Sequence, residues 1–381
     1  MELYPANNAK EAKIVIAFIS VLIISLFPTP SFCEIQTITH TVKQAFGGSQ
    51  SADDALISAV AKAKREALEM AGVYVEALTI VKDAKVDKDE ILAISAGVLK
   101  SEIVSQKNYI TGEAFGIEVV AKIIVDTSVL ESSVKKLLQD RTHLDQLNQA
   151  RNKEKELLDE VARLGAANQR LMAKKQSTGG LKKQFQDVSQ GLKAIDWFNK
   201  ALALLQNDKF TDPIKAIEYL NESIRLNPNN SLAYFGRGQA YFELNQHQRA
   251  IDDYSELMRL APHNKNLSMA YNNRGIAYAN LDQFQSAIKD FDEAIRRRPD
   301  SDNYYEHRGT TYLKLGQNQR AIEDFNEAIR LNPKNDGAWN NRGGAYLLQG
   351  NYNLGCHDVQ KACELGNCKM LEFVKGKGYC R

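Results

Sequence analysis

The chain has 381 residues, 44% of them apolar and 25% charged, a length and composition suited to two or three folded domains. Its formal net charge of +2 excludes a nucleic-acid- or membrane-binding field along the whole molecule. The six histidines show no zinc-protease spacing, and neither a phosphate-binding Gly loop nor a Gly-x-Ser-x-Gly elbow is present, so no familiar enzyme motif is met.

At the N-terminus, Lys10 and Lys13 precede the apolar run "IVIAFISVLIISLF", Ile14 to Phe27, and then "PTPSFCE". Basic residues, a short apolar core and small residues at Ser31 and Cys33 predict a signal peptide over 1–33, cut after Cys33. The run falls short of the roughly 20 residues a spanning helix needs. An uncleaved anchor is the alternative, and only then would the chain contact the membrane. Export predicts the periplasm or cell envelope as its location.

Residues 34–126 read as a small α+β domain in the order βαβαββ. "IQTITHTVKQAF" reads as a strand. "SADDALISAVAKAKREALEMAG" reads as a helix opened by Ser51 and Asp54 and stopped at Gly72, with an apolar stripe from Leu56, Ala59 and Val60 to Ala67, Met70 and Ala71. "VYVEALTIV" then reads as a strand, "KDEILAISAGVL" as a shorter helix, and "EIVSQKNYI" with "FGIEVVAKIIVD" as a hairpin. The runs "AKAKREALEMAGVYVEALT", "KDEILAISAGVLKSEIVSQ" and "GIEVVAKIIVD" resemble the N-terminal domain of flagellar assembly protein T and small domains of envelope lipoproteins. The resemblance implies an envelope-side domain that docks on other proteins and brings no catalytic residues.

Residues 127–193 predict a helical linker. Leu147, Ala150, Leu157, Val161, Leu164, Asn168 and Leu171 fall on one heptad seam, interrupted by Glu154. Two readings stay open: a short coiled coil pairing two chains as a homodimer, or one extended helix joining two domains. "QSTGG" breaks the helix, inside a basic stretch of Arg170, Lys174, Lys175, Lys182 and Lys183.

From residue 194 to 367 the chain repeats with a period of about 34. "YFGRGQAY", "YNNRGIAY", "YEHRGTTY" and "WNNRGGAY" each place a Gly inside a helix, at a cost of about 1 kcal/mol against Ala. In three units an Ala, an aromatic, a small or apolar residue and a Pro follow, as in Ala287, Phe291, Ala294 and Pro299. These residues closely resemble the tetratricopeptide repeat, an all-α solenoid of helical hairpins, in about five units. The repeated Gly and Ala would let two helices touch, and the Pro would end the second helix. Arg departs from the family's usual Leu: Arg237, Arg274, Arg308 and Arg342 each precede an Asp by sixteen residues, Asp253, Asp290, Asp324 and Asp358, which predicts a ladder of exposed ion pairs.

The family resemblance implies a partner-binding groove on the concave face. By register it would hold Phe235, Gln239 and Phe242; Asn272, Ile276 and Asn280; Glu306, Thr310 and Lys314; Asn340 and Leu347. The Lys and Asn set with which chaperone-binding relatives grip a terminal carboxylate is not met there.

Residues 368–381 form a C-terminal cap. Cys356, Cys363, Cys368 and Cys380 crowd the end of an exported chain and read as two disulfides, with zinc and free thiols as rivals. Cys356 and Cys363 lie two helical turns apart, about 10 Å, too far to bridge each other. Cys363–Cys368 would staple the turn and Cys356–Cys380 would tie down the tail.

The reading as a whole is a non-enzymatic envelope scaffold or adaptor that binds a protein or peptide and needs no metal, cofactor or nucleic acid. The alternative is an assembly or export factor targeted by lipid or polysaccharide contacts.

Overall fold

A computed structural model describes residues 35–84, 86–111, 114–139, 141–174, 177–206, 208–263 and 267–380. The expected signal segment and its cleavage point lie outside the described residues. The described part of Met1–Gly47, with Ala59–Leu144, forms one compact unit; Gly48–Ser58 and Asp145–Arg381 form the other.

The first unit is built on a three-stranded antiparallel sheet of order β1-β3-β2: β1 Ile35–Phe46, β2 Lys100–Thr111 and β3 Ala114–Asp126. Ile117, Val119, Ala121, Ile123 and Val125 alternate onto the buried face of β3, the period of two that a half-buried strand requires. In α1, Ala52–Glu76, Ala59, Ala63, Ala67 and Ala71 recur every fourth residue and are fully buried, a stripe smooth enough to lie flat. His40 Nε2 and Glu66 Oε2, 2.8 Å apart, tie β1 to that helix.

The predicted strand at "VYVEALTIV" is helical. α1 runs on to Glu76, and α2 covers Thr79–Ala84. Val75 lies four residues after Ala71 and is equally buried, so helical packing overrides the β-branched preference for strand. Nor does Gly72 stop the helix. A Cβ there would meet Ile91 Cγ2 at 3.5 Å, so this residue admits α3, Lys88–Val98. α3 opens with a capping box: Glu90 N donates to Asp87 Oδ1 at 2.8 Å and Asp87 N to Glu90 Oε2 at 3.2 Å. The first unit also reaches past the expected boundary at residue 126. α4, Thr127–Gln139, buries Leu130, Val134 and Leu137 and packs on β1, β3 and α3.

In the second unit, α5, Arg141–Ala173, carries the heptad seam, but the chain itself uses that seam. Leu147, Ala150, Leu164 and Asn168 are buried, and Leu157 Cδ1 lies 3.0 Å from where a Cβ on Gly191 would stand. Glu154, the apparent interruption, is buried in an ion pair with Arg151 at 2.7 Å.

Helical hairpins follow: α6 Leu181–Leu202 with α7 Pro213–Leu226; α8 Ser231–Glu243 with α9 His247–Leu260; α10 Leu267–Asn280 with α11 Phe284–Arg297; α12 Asp302–Lys314 with α13 Asn318–Leu331; α14 Asp336–Leu348 with α15 Tyr352–Glu364. α7, α9, α11 and α13 each end two residues before a proline, where the pre-proline residue is barred from helix. Between α6 and α7 the chain forms a small antiparallel pair, β4 Leu205–Gln206 with β5 Lys209–Phe210. α16, Lys369–Gly376, closes the array by burying Leu371 and Val374 against Val359.

Candidate partner-binding face

Tight contact inside each hairpin positions this face. A Cβ on Gly275 would lie 2.8 Å from Phe291 Cε1, and one on Gly238, Gly309 or Gly343 would crowd Tyr254, Phe325 or Val359 as closely. Each interior Gly therefore stands where the second helix crosses the first. Successive first helices (α8, α10, α12, α14) also touch one another, so together they line one face of the array.

All four Arg–Asp pairs form, each bidentate. Arg274 Nε and Nη2 donate to Asp290 at 2.7 and 2.8 Å; Arg237–Asp253, Arg308–Asp324 and Arg342–Asp358 repeat the geometry. They are not the exposed pairs expected. The Asp side chains are 3–8% exposed and the arginines 15–20%, because the motif's aromatics cover the guanidinium: two rings bracket Arg237, Arg274 and Arg342, as Tyr271 and Tyr278 do at 5.5 and 5.8 Å from Arg274, and Tyr305 lies 5.8 Å from Arg308. The remaining Nη1 reaches the preceding hairpin: Asn221 from Arg237, Ser255 from Arg274, Asp292 from Arg308 and Asn326 from Arg342. Each Arg thus joins its own second helix to the previous one. Burial pushes the carboxyls of Asp253, Asp290 and Asp324 up against the pull of their arginines, so the pairs are held at a desolvation cost.

The eleven residues expected in the groove divide. Phe235, 6% exposed, belongs to the core with Tyr254. Gln239 is buried and donates to the Asp208 carbonyl at 2.6 Å. Phe242 is half-buried and packs on the His247 ring. Asn272 is buried, its Oδ1 2.8 Å from His307 Nδ1. Leu347 is covered by the C-terminal cap. Ile276, Glu306, Thr310 and Asn340 are half-buried, while Asn280 and Lys314 are exposed.

Register assigns these residues to one side of the first helices. It did not show that adjacent first helices close over part of that side, nor that the β4–β5 hairpin covers α8. Glu243 completes that cover by accepting the Phe210 amide at 3.0 Å. The polar contacts across the face enlist residues outside the expected set. Asn335 Nδ2 donates to Glu306 at 3.0 Å, and Asn341 Nδ2 to Thr310 Oγ1 at 3.3 Å. Burial pushes the His307 imidazole down to about 4, so it is neutral at pH 7, and pushes the Glu306 carboxyl up. The strip therefore presents amides, a hydroxyl, an aliphatic side chain and the exposed Lys314 ammonium, which lies 5.8 Å from the Phe284 ring.

The cap brings Cys356 together with Cys380 and Cys363 with Cys368, both as disulfides, with Cα atoms 5.5 and 4.0 Å apart. Among the described residues, no cluster of His, Cys, Asp or Glu is arranged to hold a metal ion, and no helix is long and apolar enough to cross a membrane.

No curated protein matches the chain. Among solved structures, a crystal structure of MamA shares 25% identity over 44% of this chain and 92% of its own, with a TM-score of 0.38. MamA from Desulfovibrio magneticus RS-1 shares 21% over 46% and 97%, with a TM-score of 0.42. YrrB, described as a TPR protein with an unusual peptide-binding site, shares 20% over 52% and 97%, with a TM-score of 0.41. Models of the tetratricopeptide repeat match residues 198–265, 268–301 and 309–350, and with the hairpin geometry they identify the C-terminal half of the chain as a tetratricopeptide-repeat array.

Proposed function

We propose that the chain is a scaffold of the cell envelope that binds an extended polypeptide along the first helices of its repeats. One observation carries this: on successive first helices Asn280 and Lys314 are exposed and Ile276 and Thr310 half-buried, while Phe235, Gln239 and Asn272 are folded into the array. Amides and a hydroxyl spaced along touching helices suit the donors and acceptors of a peptide backbone, and Ile276 offers an apolar seat for a side chain. The N-terminal unit, through its resemblance to the envelope domain of flagellar assembly protein T, would supply a second docking surface. The apolar run ahead of it supports export.

The test is affinity capture by the full oxidised chain from a detergent extract of its own envelope. Recovery of a defined polypeptide is expected. The double variant Ile276→Glu, Lys314→Glu should lose it by tenfold or more, whereas Lys289→Glu on a second helix should retain it. Equal recovery by all three chains would place the partner elsewhere.

A further inference from the structure

The C-terminal cap presents an aromatic and basic surface that the repeat groove does not use. Phe373 is 60% exposed and Tyr379 51%, and the Tyr379 ring stacks on Tyr352, centroids 5.2 Å apart and 8° from parallel. These rings are not outside for want of a core. The other side of α16 is buried at Leu371 and Val374, and the disulfides fix the chain on both sides of that helix. Cys380 is bonded to Cys356 on the preceding helix, so Tyr379 is held outward.

Charge completes the surface. Lys369, Lys375 and Lys377 flank Phe373 with Glu372 as the single acid from Lys369 to Cys380, and Lys377 Nζ lies 5.9 Å from the Phe373 ring. The other nearby pair, Lys361 with Glu364 at 2.9 Å, is already matched. Exposed rings between lysines, on a short helix whose inner side is satisfied, are the chemistry of an interfacial anchor: the rings enter the headgroup region and the lysines meet anionic lipid.

We infer that the disulfide-stapled cap docks on an anionic lipid surface. An acidic polypeptide would meet the lysines alone and leave the outward rings unused. Docking should be reversible and weaken as salt rises, since two exposed rings and three lysines form a small contact.

The test is co-sedimentation of the full oxidised chain with vesicles of phosphatidylcholine, with and without phosphatidylglycerol. Binding is expected only to the anionic vesicles. It should drop about tenfold or more in Lys375→Glu, Lys377→Glu, by a smaller factor in Phe373→Ser, and not at all in Lys289→Glu. These side chains are exposed, so the variants should fold as the parent does. Insertion by the N-terminal apolar run would instead bind both vesicle types and ignore the cap variants. That result, no binding to anionic vesicles, or capture of polyglutamate without vesicle binding would each overturn the inference. Envelope-partner capture by the groove is read separately and should be unchanged in the cap variants.

Discussion

Arg274 holds four residues at once: both carboxylate oxygens of Asp290, the Ser255 hydroxyl on the preceding hairpin, and the faces of Tyr271 and Tyr278. A charge so enclosed adds little net stability when paired but is costly to leave alone. Asp290→Ala should therefore lower the free energy of unfolding by about 3 kcal/mol, measured by urea titration. Adding Arg274→Leu, the residue more usual in this repeat, should recover most of that loss, because the stranded charge goes with it. A loss under about 1 kcal/mol in the single variant would mean that Arg274 does not depend on Asp290. The pairing itself was legible as a sixteen-residue interval. Its burial was not, because the interval says nothing of the aromatics that close over each guanidinium.

Two interior glycines show how an element's neighbours set the value of a residue. On α10, a Cβ at Gly275 would press into the Phe291 ring, and on α5 a Cβ at Gly165 would meet nothing within 4 Å. Gly275→Ala should cost about 1–3 kcal/mol through overpacking. Gly165→Ala should gain about 0.5–1 kcal/mol, the difference in helix preference alone. Thermal melts of the two variants would separate these cases, and shifts of the same sign would refute the distinction. In the sequence, periodic recurrence singled out Gly275. Gly72 does not recur and in the sequence resembles a helix stop; only the approach of α3 makes it a packing residue.

At the scale of the whole molecule, a repeat array is stabilised by nearest-neighbour contacts, so its last hairpin lacks support on one side. The cap and its two bridges supply it. Removing the longer bridge with Cys356→Ser, Cys380→Ser should cost the cap about 3 kcal/mol. Limited proteolysis should then speed up at Lys369, Lys375 and Lys377 and stay unchanged in α8 to α13; an unchanged pattern at the cap would show the bridge to be dispensable. The sequence by itself determined the repeats and where their second helices end, because periodic apolar spacing, interior glycines and terminal prolines act within about 34 residues of chain. Only the tertiary structure decided which of those residues stay open. Burial of Phe235, Gln239 and Asn272 depends on the next helix or hairpin arriving against them, and the fate of the seam on α5 depends on α6. Such contacts are made between elements, and residue spacing within one element does not show how closely the next will approach.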